Sequence, residues 1–433
     1  MSNPEDHLNW YDVGGCVRDR LRGVEPSDID RVAIGHSAED MVEAGFNKHV
    51  GESFPVFLHP ETKDEWALGR TENSTGDSHK DVNIEKFGEG VSLEEDLKRR
   101  DLTINAMAQD PETGEIIDPH GGKTDLENKT LRHVSESAFA TDPLRVLRLA
   151  MFAARLDGFT VHPDTLALAK SERNRLSTLD KMRVYRNLLK MFRKAENPRR
   201  YFDVLQEVGA LEILFPEVHR LTEIPAGPEH AHKEGSAFEH TMRVLTEANR
   251  LDPNNVRVLL GVLAHDLGKG LTPGSELPSH PKHNVNGVEV IENWVERMTM
   301  EKSGNEMSAI KVEHREIMKD AAKNHMKMHR FEEMRASTII EFVDRHPTED
   351  NDKRLSMDEL MTIGIADSLG RIPQEVPNVA TIGRKLSHAK TVISEITGSD
   401  IIEEFDVNPK SEGGKIPDIM LQERVKRFRE LEE

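Results

Sequence analysis

Two aspartates, Asp28 and Asp30, stand two residues apart in Ser27-Asp28-Ile29-Asp30-Arg31-Val32-Ala33-Ile34. Just upstream, the short run Tyr11-Asp12-Val13 leads into Gly14-Gly15-Cys16-Val17-Arg18-Asp19. The pattern predicts a strand, a glycine turn, a helix start and a second strand over 28–34 that carries both acids. Residues two apart on a strand share a face, roughly 6.6 Å apart along it. Two carboxylates converging there can hold Mg²⁺ against a triphosphate. The glycines let backbone N–H groups approach phosphates, and Arg18 adds a forked cation. In outline this is a nucleotidyl-transfer site. Such chemistry needs alignment and charge neutralisation more than a covalent nucleophile.

A second set lies downstream. The apolar run Val256–Ala264 delivers His265-Asp266 and stops near Gly268. His240 sits earlier, in Phe238-Glu239-His240-Thr241, and Asp367 closes the apolar stretch that begins at Met361. A His, His-Asp, Asp set with mixed nitrogen and oxygen donors suits a divalent transition metal or Mg²⁺, and a water activated against phosphate esters. Taken alone, His265-Asp266 is equally a buried hydrogen-bonded pair. His280, His283, His325 and His329 could extend the metal set, bind substrate phosphate or face solvent.

Three further stretches bear on the first site. Arg99-Arg100-Asp101 opens the apolar run Leu102–Met107, and a double arginine there can clamp phosphates or ribose. Asp118-Pro119-His120-Gly121-Gly122 reads as a strand end followed by a flexible turn. In Thr141-Asp142-Pro143-Leu144-Arg145-Val146-Leu147-Arg148, the spacing places Asp142, Arg145 and Arg148 on one helix face, with Pro143 suited to the helix start. An acid beside an arginine offers acceptors and donors to a base edge.

In this order, GGCVRD, DID, FPVFLHP, LKRRDLTINAMAQD, EIIDPHGG and DPLRVLR resemble the class II tRNA nucleotidyltransferase (CCA-adding) family, over roughly residues 11–370. The resemblance implies a polymerase β-like head followed by a helical neck and body. It implies addition of CMP, CMP and AMP to the tRNA 3′ end from CTP and ATP, without a nucleic-acid template. On that basis Asp28 and Asp30 are the catalytic Mg²⁺ ligands, and Gly15, Arg18 and Arg100 bind the nucleotide. Asp142 and Arg145 would read the incoming base, with Arg148 and Arg183 nearby, and residues 118–122 would switch between CTP and ATP. Two positions depart from the family pattern: Thr141 where a Glu is usual, and Met151 where bacterial members often carry a cation. They bear on the ATP/CTP balance rather than on the chemistry.

The set His240, His265-Asp266 and Asp367, with Leu267-Gly268-Lys269-Gly270 behind it, resembles an HD-type phosphohydrolase domain. Head plus HD domain is similar to the multifunctional branch of the same family. That implies 2′,3′-cyclic phosphodiesterase, 2′-nucleotidase and phosphatase activities with Ni²⁺ or Mg²⁺. The rivals are a poly(A) polymerase of the same superfamily, an enzyme adding only CC or only A, and an HD hydrolase whose head is a non-catalytic RNA-binding module.

The elements that must position these residues form an α+β chain. A head with a small mixed sheet is expected over 1–136, with strands at 10–14, 28–34, 54–59, 65–70 and 114–118. A helical neck and body follows over 137–225, an all-α HD domain over 226–370 and a tail over 371–433 that ends in a charged helix. At 433 residues several domains with ample cores are expected. The net charge of -20 argues against generic nucleic-acid affinity, yet residues 145–200 hold 14 Lys/Arg against five acids, a stripe suited to a polyanion. One cysteine excludes an internal disulfide and points to the cytoplasm. No apolar run spans a membrane and no signal peptide is apparent. The expected partners are tRNA, ATP and CTP, and the expected state is a monomer or homodimer.

Overall fold

The computed structural model describes residues 4–50, 55–74, 82–302, 305–346, 353–374 and 376–433. The chain divides into two compact units. The first comprises residues 1–191 and 195–214, the second 192–194 and 215–433.

The first unit is built on a seven-stranded mixed sheet. Its strands are β1 (Trp10–Val13), β2 (Arg31–Ala33), β3 (Asn47–Val50), β4 (Pro55–Leu58), β5 (Glu65–Leu68), β8 (Ala108–Gln109) and β9 (Ile116–Ile117), in the order β3-β4-β5-β2-β1-β8-β9. Among the described residues of this sheet only β2 and β5 pair in parallel. Strands β6 (Arg70–Ser74) and β7 (Val82–Phe87) form a separate antiparallel pair. Strand alternation sends Val32 and Ile34 to one face, with Val13, Leu97 and Ala108. It sends Ala33 to the other, with Met41, Phe57, Trp66 and Leu68. Both faces are therefore covered.

The strand expected over 28–34 is shorter than its pattern suggested. β2 begins at Arg31, so Asp28 and Asp30 lie in the extended segment leading into it. The ladder does reach back one step, because Val13 N–H donates to the Asp30 carbonyl at 2.9 Å. Likewise 65–70 splits into β5 and the start of β6, and 114–118 contracts to β9. β3 is polar in Asn47, Lys48 and His49 and gave no strand signal, which fits its place at the sheet edge.

The second unit is mostly helical. Helix Val256–His265 is its axis, buried from Val258 to His265. It packs against Ala237–Leu251, Val312–Met328 and Met357–Gly370. Three of these helices start at a side-chain cap. Ser236 accepts from Glu239 N–H, Asn255 caps Arg257 and Val258, and Ser356 forms a reciprocal cap with Glu359. A short hairpin, Thr299–Lys302 with Asn305–Ser308, interrupts the all-α expectation. The tail, expected to be helical and to end in a charged helix, holds the helices Val379–Glu395, Gly398–Glu404 and Ile416–Glu432 among the described residues. The first buries Ile382, Leu386, Ala389 and Val392 at helical spacing.

Gly268, two residues past Asp266, sets how closely helix His283–Arg297 approaches. A Cβ there would lie 1.9 Å from the His283 carbonyl oxygen and 2.4 Å from Gly287 N. Backbone cannot yield as a side-chain tip can. Gly268→Ala should therefore cost on the order of 1–3 kcal/mol or more through overpacking. Urea unfolding read by Trp294, the sole tryptophan of this unit, should show a lower midpoint. An unchanged midpoint would refute the contact.

Candidate active sites

In the head, the glycine turn and the paired acids meet. Gly14 takes φ +80°, a conformation that favours glycine, and a Cβ on it would lie 2.6 Å from an Arg100 guanidinium nitrogen and displace it. Helix Gly15–Leu21 follows and carries Arg18. Asp28 and Asp30 are both exposed, beside the β1 end that the turn continues.

Arg18 is almost wholly buried. Its Nε and Nη2 donate to Asp19 Oδ1 at 2.9 and 2.8 Å, and Nη1 donates to the Asn105 side-chain carbonyl at 2.5 Å. Asn105 donates in turn to Asp101 Oδ1 at 3.1 Å, and Asp101 Oδ2 accepts from Arg148 Nε at 2.7 Å. The Phe152 ring lies 5.4 Å from the Arg18 guanidinium and 5.6 Å from that of Arg148. Three separated motifs thus join in one relay. Burial pushes the Asp101 pKa up, but Arg148 overrides it and holds the carboxyl at about 2.

A second buried hub was not foreseen. Glu72 on β6 accepts from Arg70 at 2.9 Å, Arg99 at 3.1 Å and Arg145 at 3.0 Å. Asp96, with its side chain fully buried, takes Arg99 at 2.9 Å and Arg100 at 3.2 Å. No local signal marks Glu72, which lies 73 residues from Arg145. Asp101, by contrast, stands in the double-arginine motif itself.

Asp142 does not share the helix with Arg145 and Arg148. It is extended, ahead of Pro143 and helix Leu144–Arg155. Its Oδ1 accepts from Leu144 N–H at 3.0 Å and its Oδ2 from Arg183 at 3.2 Å. Arg145 turns to Glu72 and Arg148 to Asp101, while both remain within electrostatic reach of Asp142. Asp118 accepts from the N–H groups of Gly122 and Lys123 at 2.7 and 2.9 Å and starts helix Gly122–Glu127. Met151 is in the core and Thr141 is buried, its hydroxyl donating to the Ala138 carbonyl at 3.1 Å, so neither departure leaves an orphaned polar group. Of the stripe over 145–200, Arg145, Arg148, Arg155, Arg175, Arg183, Arg199 and Arg200 have acidic partners. Only Glu172 among those acids lies inside the stripe, so its local charge excess overstates the field.

In the second unit His240, His265 and Asp367 bring donor atoms within 4.8 Å of one another, and so do Asp266, His283 and His325. His240 Nε2 is 3.0 Å from Asp367 Oδ1, and His265 Nε2 is 3.3 Å from Asp266 Oδ2. The Nδ1 of His265 donates to the Val262 carbonyl at 2.6 Å. Nε2 is thereby turned to Asp266, and burial, which lowers the His265 pKa, is outweighed by the charges of Asp266 and Asp367, which raise it, so a proton or a cation at Nε2 is favoured there. The Nδ1 atoms of His283 and His325 are likewise tied to backbone carbonyls, which aims two Nε2 atoms at each other 3.2 Å apart. Facing lone pairs repel without a cation between them. Burial, with His265 alongside, pushes the His325 pKa down to about 3 and keeps it neutral. Burial raises the Asp266 pKa, but Lys269 at 2.7 Å and His265 hold it well below the usual carboxylate range. This donor set fits a divalent metal.

His283 and His325 therefore join the cluster. His280 instead bridges Thr272 and the Pro225 carbonyl. His329 contacts Asp367 Oδ2 at 2.6 Å from outside the two groups. Sequence reasoning missed Glu234, whose buried carboxylate takes His232 Nδ1 at 2.6 Å, lies 3.1 Å from His240 Nδ1, and accepts from Ile372 N–H at 3.0 Å.

A nucleotidyltransferase-type head and a metal-suited His/Asp cluster define the class, and the comparisons agree. Residues 10–132 match the poly A polymerase head domain, 158–222 the probable RNA and SrmB-binding site of polymerase A, and 237–371 the HD domain. The multifunctional CCA protein of Mannheimia succiniciproducens is 41% identical over 373 residues, covering 84% of each chain. That of Psychromonas ingrahamii is 39% identical over 387 residues, covering 88% of this chain and 90% of its own. The chain belongs to the multifunctional CCA protein family. Its fold is similar to that of the Thermotoga maritima CCA-adding enzyme complexed with tRNA, with TM-score 0.60 and 18% identity over 99% of this chain and 92% of that one.

The Asp101–Arg148 pair gives a test by pH. Its carboxyl is depressed from 3.8 to about 2, so its contribution is present above the unfolded value and lost as pH falls through the folded one. Asp101→Asn should cost about 2 kcal/mol at pH 7. The gap to wild type in urea unfolding should close between about pH 4 and pH 2. A gap that is constant with pH would mean the pair is not coupled.

Proposed function

We propose that this protein completes tRNA 3′ ends with CCA from CTP and ATP in the cytoplasm, and that its HD unit hydrolyses phosphate esters at RNA ends. One observation carries this reading: relatives named multifunctional CCA proteins align across both the paired-acid head and the His/Asp cluster at about 40% identity. Among the described residues no helix is long and apolar enough to cross a membrane.

In the head, Asp28 and Asp30 are exposed hard oxygen donors and fit Mg²⁺. When bound there, the ion neutralises the triphosphate and acidifies the tRNA 3′-hydroxyl. Gly15 belongs to the turn that the phosphates approach. Arg100 and Arg148, held by Asp96 and Asp101, form a preset cationic wall that needs no reorganisation on binding, and the buried Arg18 supports it through Asn105 rather than facing the nucleotide. Asp142 and Arg145, anchored by Arg183 and Glu72, present an acceptor and donors to the base edge. The tRNA 3′-oxygen bonds to the α-phosphorus, the bond to the bridging oxygen breaks, and pyrophosphate leaves.

In the HD unit, His240, His265, Asp266 and Asp367, extended by His283 and His325, would hold Ni²⁺ or Mg²⁺. When bound, that metal supplies a water acidic enough to attack phosphorus. Glu234 orients His240 by occupying the Nδ1 side, so that Nε2 faces the cluster.

Replacing Asp28 and Asp30 together by Ala should abolish CMP incorporation and leave hydrolysis of 2′,3′-cyclic AMP intact. Near wild-type incorporation would overturn the head assignment. Glu234→Gln should weaken Ni²⁺ binding by calorimetry about 10–100-fold, with CMP addition unchanged. Equal affinity would remove Glu234 from that role.

A further inference from the structure

Arg31 follows directly on Asp30 and is the first paired residue of β2. Neighbours in extended backbone alternate faces. Arg31 accordingly lies with Ala33 and Trp66 on one face of the sheet, whereas Asp30 comes within electrostatic reach of Arg148 on the other.

On its own face Arg31 is held from several sides. Its register partners are Asp12 on β1 and Trp66 on β5. Nη1 donates to Asp64 Oδ2 at 2.6 Å, just ahead of β5, and Nε lies 3.4 Å from Asp12 Oδ1. Those last two atoms are buried, and neither has a hydrogen bond among the described residues, so each is the electrostatic complement of the other. The guanidinium carbon is 5.7 Å from the Trp10 ring and 5.5 Å from the Trp66 ring, and the two rings are 4.7 Å apart. Asp12 Oδ2 accepts from Arg20 Nη1 at 2.7 Å, and the same nitrogen donates to the Gln109 side-chain carbonyl at 2.8 Å. Alternating charges, Arg20, Asp12, Arg31 and Asp64, therefore tie β8, β1, β2 and the start of β5 together.

This network is placed where the head needs rigidity. Asp28 and Asp30 repel one another until a cation lies between them. The backbone that carries them must be fixed from elsewhere. Strand pairing helps by one bond, from Val13 N–H to the Asp30 carbonyl. A three-residue strand is short, and its first residue sets the direction from which the 28–30 segment departs.

We propose that Arg31 is a positioning residue for nucleotidyl transfer. From the far face of the sheet its fork spans Asp12 and Asp64, and so holds segment 28–30 with both acids ready for one cation. The inference rests on the reading of Asp28 and Asp30 as the metal ligands.

The test counts Mn²⁺ bound to the full-length protein by electron paramagnetic resonance, with CTP present. Binding that disappears in the Asp28→Ala, Asp30→Ala double variant belongs to the head. Arg31→Met keeps a side chain between the indoles and removes the fork. It should weaken head Mn²⁺ binding about tenfold or more. The Mg²⁺ concentration for half-maximal CMP addition should rise in step. KM for tRNA and hydrolysis of 2′,3′-cyclic AMP should stay within about twofold of wild type. Arg31→Lys, a single ammonium that cannot span both carboxylates, should fall between. A merely structural Arg31 would lower the urea midpoint and leave the Mn²⁺ affinity of the folded protein unchanged, and that result overturns the proposal. If Arg31→Met does not fold, Asp64→Asn decides, since Asp64 stands at an exposed turn. Threefold or more loss of Mn²⁺ affinity, about what one of two anchors supplies, supports the clamp, and equal affinity refutes it. A double variant that loses no Mn²⁺ defeats the metal-ligand reading, and the proposal with it.

Discussion

A guanidinium cannot shed its charge, so every arginine taken out of water must meet an anion or an array of acceptors. The head is arranged around that requirement. Asp19, Glu72, Asp96 and Asp101 each hold one or more arginines, and their guanidiniums are fixed before any substrate arrives. The carboxylates offset the burial of the cations. Removing one of them would leave a buried charge unpaired, which costs more than the pair itself contributes. The sheet, the glycine turn and helix Leu144–Arg155 are then tied to one another through side chains as well as through backbone pairing.

The second unit solves the converse problem with neutral donors. Backbone carbonyls take the Nδ1 protons of His265, His283 and His325 and so choose the tautomer for each ring. The inward nitrogens of His283 and His325 are left as lone pairs beside Asp266, and that of His265 faces the same carboxylate. One unit thus stores positive charge around a place for phosphates, and the other stores unshared electron pairs around a place for a cation.

Much of this was legible in the chain because the chemistry is carried by short ordered motifs. Asp28-Ile29-Asp30, Arg99-Arg100-Asp101 and His265-Asp266 each adjoin an apolar run, and for the first and last the strand Arg31–Ala33 and the helix Val256–His265 are present beside them. What was not legible is who pairs with whom across the sequence. Glu72 looks like an ordinary strand acid until β6 brings it to Arg145. Glu234 lies in a stretch that reads as loop, without periodicity. Asp142 lies outside the helix that carries Arg145 and Arg148 because a residue ahead of a proline favours extended backbone.

Gly268 carries no charge, donates to no ligand and would never be chosen from a list of reactive residues. It nevertheless fixes the distance at which one ligand-bearing segment lies against the next. A genetic screen scored by enzyme output would therefore return this position alongside the histidines and aspartates. Its loss would look like lost chemistry while every reactive group remained in the chain. Sensitivity to substitution in this unit maps spacing as well as reactivity, and the two separate only when metal binding and folding are measured on the same variant.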